Sequence, residues 1–332
     1  MNHARLSARH VLAACGAALL LGAVAPSQAV AQSYPARPVT LVVGYPAGGS
    51  VDLTARLFGE ELSRHLGQNV VIENVGGAGG TIGAQRVARA APDGYTLLLG
   101  STNEIVIARM INTAVQYDSA KDLSSLGVIG SQPLLLAASK ASDVTSAAQY
   151  LQALRAGQPG QYYYGSSGVG TSLHLAGEMI NASTGTQAEH VPYRGVAPLV
   201  TDLMSGQLTF GVLVLSSGLP QVQSDKIVAL GVTEKTRSPV APDIPALAET
   251  PGFENVDIGV WFGLYGPAGL PDAVADALRG AVRSVLAAPS FRDKLAQAGG
   301  VPARADLDPA VFLAEETRKF DALVKGAKIE AQ

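Results

Sequence analysis

An apolar run, Val39-Thr40-Leu41-Val42-Val43-Gly44, ends in Tyr45-Pro46-Ala47-Gly48-Gly49-Ser50-Val51-Asp52. Leu53, Leu57, Phe58, Leu62 and Leu66 then recur at helical spacing. A buried strand that turns through glycines into an amphipathic helix is a βα unit. Such a unit commits the chain to an α/β fold, with helices packed on a sheet. Gly48 and Gly49 remove side chains where the backbone turns tightly or a guest comes close. Ser50 is the expected N-cap, and the first free N–H groups of the helix point into the loop. A helix start of this kind favours an anion, most simply a carboxylate. Alone, the same residues also fit a loop that only turns a corner.

The chain continues in the same idiom. Val70 to Asn74 reads as a second strand and Tyr95 to Gly100 as a third. Strand, helix, strand, helix, strand argues a parallel, doubly wound sheet, which binds ligands at the carboxyl ends of its strands. The Gly48 loop and Ser101-Thr102-Asn103-Glu104 both stand at such ends. Between them, Gly76-Gly77-Ala78-Gly79-Gly80-Thr81-Ile82-Gly83 imitates a nucleotide loop. With glycines at 77 and 79 the third position is Ile82, and no G-K-[ST] follows, so it is read as a structural turn into a helix over 85–91. Gly127 to Gly130 and Leu134 to Ala138 are expected as further strands, as are 208–215 and 227–232.

Tyr162-Tyr163-Tyr164-Gly165-Ser166-Ser167-Gly168-Val169-Gly170-Thr171-Ser172 repeats the first loop's logic: a strand, small residues, hydroxyl caps, then a helix carrying Leu173, Leu175, Met179 and Ile180. Two such loops can grip one group from two sides. A nucleophile elbow fails on spacing, because the second glycine of G-x-S-x-G would fall on Val169. His174 is expected to bond the loop rather than to act as a base. His65, His174 and His190 show no metal-ligand spacing, so neither metal nor cofactor is expected.

Residues 1–31 have the form of a secretory signal. Arg5 and Arg9 precede an apolar stretch from Val11 to Val24, and Ala29-Val30-Ala31 is a cleavage site. The apolar run is short for a membrane span. Leu12-Ala13-Ala14-Cys15 imitates a lipoprotein box, but only two residues separate it from the polar start. Cys15, the one cysteine, leaves with the signal, so no disulfide staples the mature chain. Removing two arginines and no acids takes the net charge from −3 to −5. That argues against nucleic acid and anionic membrane surfaces as partners.

Taken together, these pieces resemble the Bug-type solute-binding receptors of tripartite tricarboxylate transporters, periplasmic proteins of proteobacteria. The resemblance covers the whole mature chain. It rests on Tyr34-Pro35-Ala36-Arg37-Pro38-Val39, Pro46 to Asp52, Gly79 to Ala84, Ala91-Pro92-Asp93-Gly94-Tyr95-Thr96-Leu97 and Tyr117-Asp118-Ser119-Ala120-Lys121-Asp122-Leu123. It continues through Ser172-Leu173-His174-Leu175-Ala176-Gly177-Glu178, His190-Val191-Pro192-Tyr193-Arg194-Gly195 and Trp261-Phe262-Gly263-Leu264.

The resemblance implies a two-domain clamshell of the type II periplasmic-binding-protein kind, each domain a mostly parallel sheet flanked by helices. Two strands would cross near 126–137 and 254–263. Residues 32–131 with 257–332 would form domain 1, and 132–256 domain 2. It implies a monomer with no catalytic residues. A carboxylate would lie between the two loops, bringing together Tyr45, Ala47, Gly48, Gly49, Ser50 and Asp52 with Ser166, Ser167, Gly170, Thr171 and Ser172.

Two departures from the family pattern bear on the ligand. Many relatives carry Asp-Asn where this chain has Leu213-Val214, so the wall at Leu213, Val214 and Leu215 is expected to be apolar. Asn103 and Glu104 replace a neutral or histidine-containing segment. If Glu104 faces the pocket, it would want a cation, a hydrogen-bonded water cluster or a proton, and the ligand is then expected to carry a nitrogen group as well as an acid, as an amino acid or amide does. Otherwise Glu104 lies at the rim. Asp52 would read the ligand or cap its own helix, and Arg194 would pair with the ligand or, as the favoured reading, with a surface acid.

The expected function is extracytoplasmic capture of a small organic acid for membrane transporter subunits, or for a sensor kinase. An exported serine hydrolase is the competing class, and it lacks a histidine in motif context beside Ser166 or Ser167.

Overall fold

The computed structural model describes residues 34–326. The expected signal over 1–31, with its cleavage site and Cys15, lies outside the described residues. Ten strands form one continuous sheet: β1 (Val39–Val43), β2 (Val70–Asn74), β3 (Thr96–Ser101), β4 (Leu123–Ser139), β5 (Tyr163–Ser166), β6 (Glu189–Pro192), β7 (Phe210–Val214), β8 (Ile227–Val232), β9 (Gly259–Pro267) and β10 (Val301–Pro302). Their order is β2-β1-β3-β9-β4-β7-β5-β6, with β8 and β10 also paired to β4.

The sheet is mixed. β1 lies between β2 and β3 with all pairings parallel, and β5 lies between β6 and β7 in the same way. β4 and β9 join these triplets by antiparallel pairing. β4 is one strand of 17 residues, not the two short strands expected at 127–130 and 134–138. Two register shifts bend its first part along β9. Up to Pro133 it pairs with β9, and from Leu134 it pairs with β7 and β8. Proline, which has no N–H to give a ladder, stands where the strand changes partners.

The helices of eight residues or more among the described residues are α1 (Ser50–Leu66), α2 (Thr81–Ala88), α3 (Ala147–Ala156), α4 (Ser172–Thr184), α5 (Val196–Ser205), α6 (Leu215–Gln223), α7 (Asp272–Ala287), α8 (Pro289–Gln297) and α9 (Pro309–Gly326). They cover both faces of the sheet, so β1 and β3 are buried almost throughout and read as continuous apolar runs. In α1 the buried stripe is Val51, Ala55, Phe58 and Leu62. Leu53, which also fits the apolar spacing, is exposed. α2 begins and ends earlier than the expected 85–91 helix, because Gly80 closes a tight 3-10 turn directly into Thr81. Ser216-Ser217-Gly218, which follows the apolar run 208–215, lies inside α6.

Candidate functional site

The first loop folds as its residues dictate. Gly48 takes a left-handed φ of 85° that other residues resist. Gly49, not Ser50, is the N-cap of α1, and no side chain caps that helix. Asp52 is buried and reaches back to accept the Gly48 N–H at 3.0 Å. It also accepts from Asn74 Nδ2 at 3.0 Å and from both arms of Arg56. Burial alone would raise its pKa, but the bonds from Arg56, Gly48 and Asn74 win and lower it. Asp52 therefore braces the loop and does not line a cavity. Ala47 and Gly48 are exposed and form its outer turn.

In the second loop, Thr171 caps α4 by accepting from the His174 N–H. His174 Nδ1 accepts from the Gly170 N–H at 3.0 Å, the bracing role expected of it. Ser166 Oγ lies 2.6 Å from His190 Nε2, a separation that would suit a nucleophile and its base. The serine, however, is fully buried and also bonds Gly168 on both sides, so no substrate reaches it. His190 stacks on His174 with ring centroids 4.0 Å apart. Burial, and then the neighbouring ring, push its pKa down to about 3. The pair is a neutral brace. The sequence argument against a hydrolase overlooked His190, yet the conclusion stands on the sealing of Ser166.

Between the two loops lies an inner cavity of about 30 Å³. Tyr45, Gly49, Ser50, Ser101 and Asn103 line it from one side. Ser167, Leu173 and Val214 line it from the other, and Val260 and Phe262 complete the wall. Of the apolar trio expected there, only Val214 faces the cavity, while Leu213 and Leu215 are core. Ser166, Gly170, Thr171 and Ser172 stand behind the lining.

The α4 N-terminus, expected to hold the guest, is already occupied. The Ser172 N–H donates to Asn103 Oδ1 at 2.6 Å. The second open helix start is instead that of α5. Its N-cap is Gly195 with no side-chain cap, and Gly195, Val196, Ala197 and Pro198 all line the cavity. Pro198 has no N–H to give, so Val196 and Ala197 are the donors that the first turn leaves free. The sequence signal was Gly195 followed by a proline in the first turn. Two uncapped helices, α1 and α5, thus turn their positive ends toward one small space. Ser50 Oγ, on the cavity wall, has no hydrogen-bond partner among the described residues.

Glu104 is neither a pocket carboxylate nor a rim residue. It is buried in a π-helical turn over Asn103–Ile107, outside both cavities. Its Oε1 accepts from the Ser101 N–H at 2.7 Å, and its Oε2 from Ser101 Oγ at 2.6 Å and Tyr45 OH at 3.2 Å. Burial lifts its pKa to about 7, against the pull of the Ser101 bonds. No side remains for a ligand amine. Asn103 Nδ2 donates to Tyr45 OH at 2.7 Å, and the single proton of that hydroxyl is shared between the Gly79 carbonyl and Glu104 Oε2. One polar chain thus runs from Glu104 to the α4 N-terminus.

A wider outer cavity of about 900 Å³ shares Tyr45, Pro46, Ser167 and Gly195 with the inner one. The glycine turn 76–80, expected to be structural only, lines it. Gly44 lets that turn approach: a Cβ on Gly44 would stand 2.6 Å from the Gly80 carbonyl oxygen. Arg194 also lines the outer cavity, and it has no acid partner among the described residues, contrary to the sequence expectation.

The profile of the family described as tripartite tricarboxylate transporter family receptor matches residues 54–329. A protein encoded in the tcbD-tcbE intergenic region of Pseudomonas sp. (strain P51) is 34% identical over 99% of this chain and 97% of its own length. Rpa4515 of R. palustris, solved with adipate, is 32% identical, with a TM-score of 0.86 over 90% of this chain and 100% of that one. MatC of Rhodopseudomonas palustris, solved with bound malate, is 29% identical, with a TM-score of 0.81 over 88% and 100%.

Proposed function

Because the chain belongs to the tripartite tricarboxylate transporter receptor family, we propose that it captures a small carboxylate in the periplasm and presents it to membrane subunits of such a transporter. The family consists of solute-binding receptors and not enzymes. The observation that carries the reading is the convergence of the uncapped N-termini of α1 and α5 on the inner cavity. Backbone N–H groups and two helix dipoles suit a carboxylate and offer nothing to a cation. The acid ligands of Rpa4515 and MatC support the same chemistry. An amine or amide requirement has no support, since both oxygens of Glu104 are taken.

In this reading residues 32–131 with 257–332 form one body and 132–256 the other. They hinge on β4, where it changes partners after Pro133, and on the return into β9. Ligand would bridge the two bodies and shift the population toward the closed form.

Isothermal titration of the mature chain with adipate, malate and the corresponding diamides tests the proposal. Binding of an acid with no binding of its diamide is expected. Equal binding of acid and diamide, or no acid bound by protein refolded after denaturation, would overturn it.

A further inference from the structure

The inner cavity, at about 30 Å³, has room for a carboxylate-sized group or two waters, not for a whole aliphatic acid. A longer ligand must extend past Tyr45, Pro46, Ser167 and Gly195 into the outer cavity, which shares those walls. The outer lining holds no aspartate or glutamate, and its one charged side chain is Arg194. Arg56, Arg86, Arg109 and Arg237 each hold a carboxylate of this chain. Arg194 does not, though arginine's planar fork is built for one. Asn112 stands in the same wall; its Oδ1 accepts from the Ala114 N–H, which leaves its Nδ2 to donate.

We infer that the outer cavity is a second anion subsite, that it takes the far carboxylate of a dicarboxylic acid, and that Arg194 is the residue that selects such acids over monoacids. This rests on the reading of the inner cavity as the site of the first carboxylate. It assigns each end of the ligand a different device. The inner end meets backbone N–H groups and helix dipoles in a small enclosed space. The outer end meets an exposed guanidinium in a wider one.

The test compares adipate with its monoamide, which keeps length and one carboxylate but loses the second charge. Titrations use the wild type, Arg194→Gln and Arg194→Lys. A charge-assisted bond of about 1.5–3 kcal/mol corresponds to roughly ten- to hundredfold in affinity. Wild type is therefore expected to prefer adipate by about tenfold or more, since partial exposure takes the lower end of that range. Arg194→Gln should lose the preference while monoamide binding stays within about twofold, and Arg194→Lys should keep part of it. Added salt should shrink the wild-type preference, as screening of an exposed pair requires. If Arg194→Gln keeps the preference, or wild type shows none, the subsite assignment falls and the carboxylate reading survives. If wild type binds neither compound nor any other acid, the carboxylate reading itself falls and takes the subsite with it.

Discussion

At the scale of single residues, the proton on Glu104 is the sharpest consequence of the fold. Its pKa rises from the ordinary 4.5 to about 7 in the folded chain, chiefly through burial. A raised carboxyl pKa means that the folded state holds the proton more tightly than the unfolded chain. The resulting stability is complete below pH 4.5 and is lost as pH climbs through 7. At about 1.4 kcal/mol per unit, the loss is roughly 3 kcal/mol. His190 acts in the opposite direction. Its folded pKa falls to about 3, so its contribution is present above pH 6.5 and is lost as pH falls. The two trends overlap and blunt each other in the wild type. Glu104→Gln separates them, because glutamine resembles the protonated acid at every pH. The stability of wild type minus that of Glu104→Gln, measured by urea unfolding, should fall between pH 5 and pH 8. A difference that stays flat would show that Glu104 carries no proton near neutrality.

At the scale of elements, the loop between β1 and α1 depends on a side chain that never meets the cavity. Asp52 ties Gly48, Asn74 and Arg56 together, so Asp52→Ala frees three groups at once. A loss of roughly 1–2 kcal/mol in urea unfolding is expected, the usual cost of leaving hydrogen-bonding groups without their partner. Affinity for adipate should weaken as well, because the brace holds the α1 N-terminus in place. Asp52→Asn, which can still accept from Gly48, should fall between the two. Unchanged adipate affinity in Asp52→Ala would show that the loop holds its shape without the brace. This element was legible in the sequence because its information is local: an apolar strand, glycines at the turn, and an acid in the first helical turn. The second open helix start was not. The 166–172 loop carried the stronger hydroxyl signal, yet its helix is filled by Asn103, 69 positions away. The α5 start is open because no side chain arrives to cap it. That depends on which distant residues meet across the cleft, and spacing along one loop does not record it. Arg194 was misjudged for the same reason. Whether a surface arginine finds an acid is decided by packing between elements.

At the scale of the whole molecule, several contacts draw together the two bodies proposed above, four of them beside the candidate site. Asn103 bonds Ser172, Gly79 approaches Thr171, Gly195 approaches Pro46, and Gly170 approaches Ile111. The last is the tightest: a Cβ on Gly170 would stand 1.7 Å from Ile111 Cδ1. Glycine is also favoured there by a φ of 74°. Gly170→Ala would meet both obstacles, but only one of them belongs to closure. The backbone strain is local to the loop, whereas the clash exists only while the bodies are together. If the receptor works by closing, Gly170→Ala should bind adipate more weakly, since apparent affinity falls with the fraction of competent closed molecules. Ile111→Ala in the same chain should restore part of the loss by removing the clash while leaving the strain. X-ray scattering should follow the same order: saturating adipate compacts the wild type, compacts Gly170→Ala less, and compacts the double variant to an intermediate degree. If the double variant binds no better than Gly170→Ala, the loss comes from loop strain alone. The Gly170–Ile111 contact would then have no part in closure.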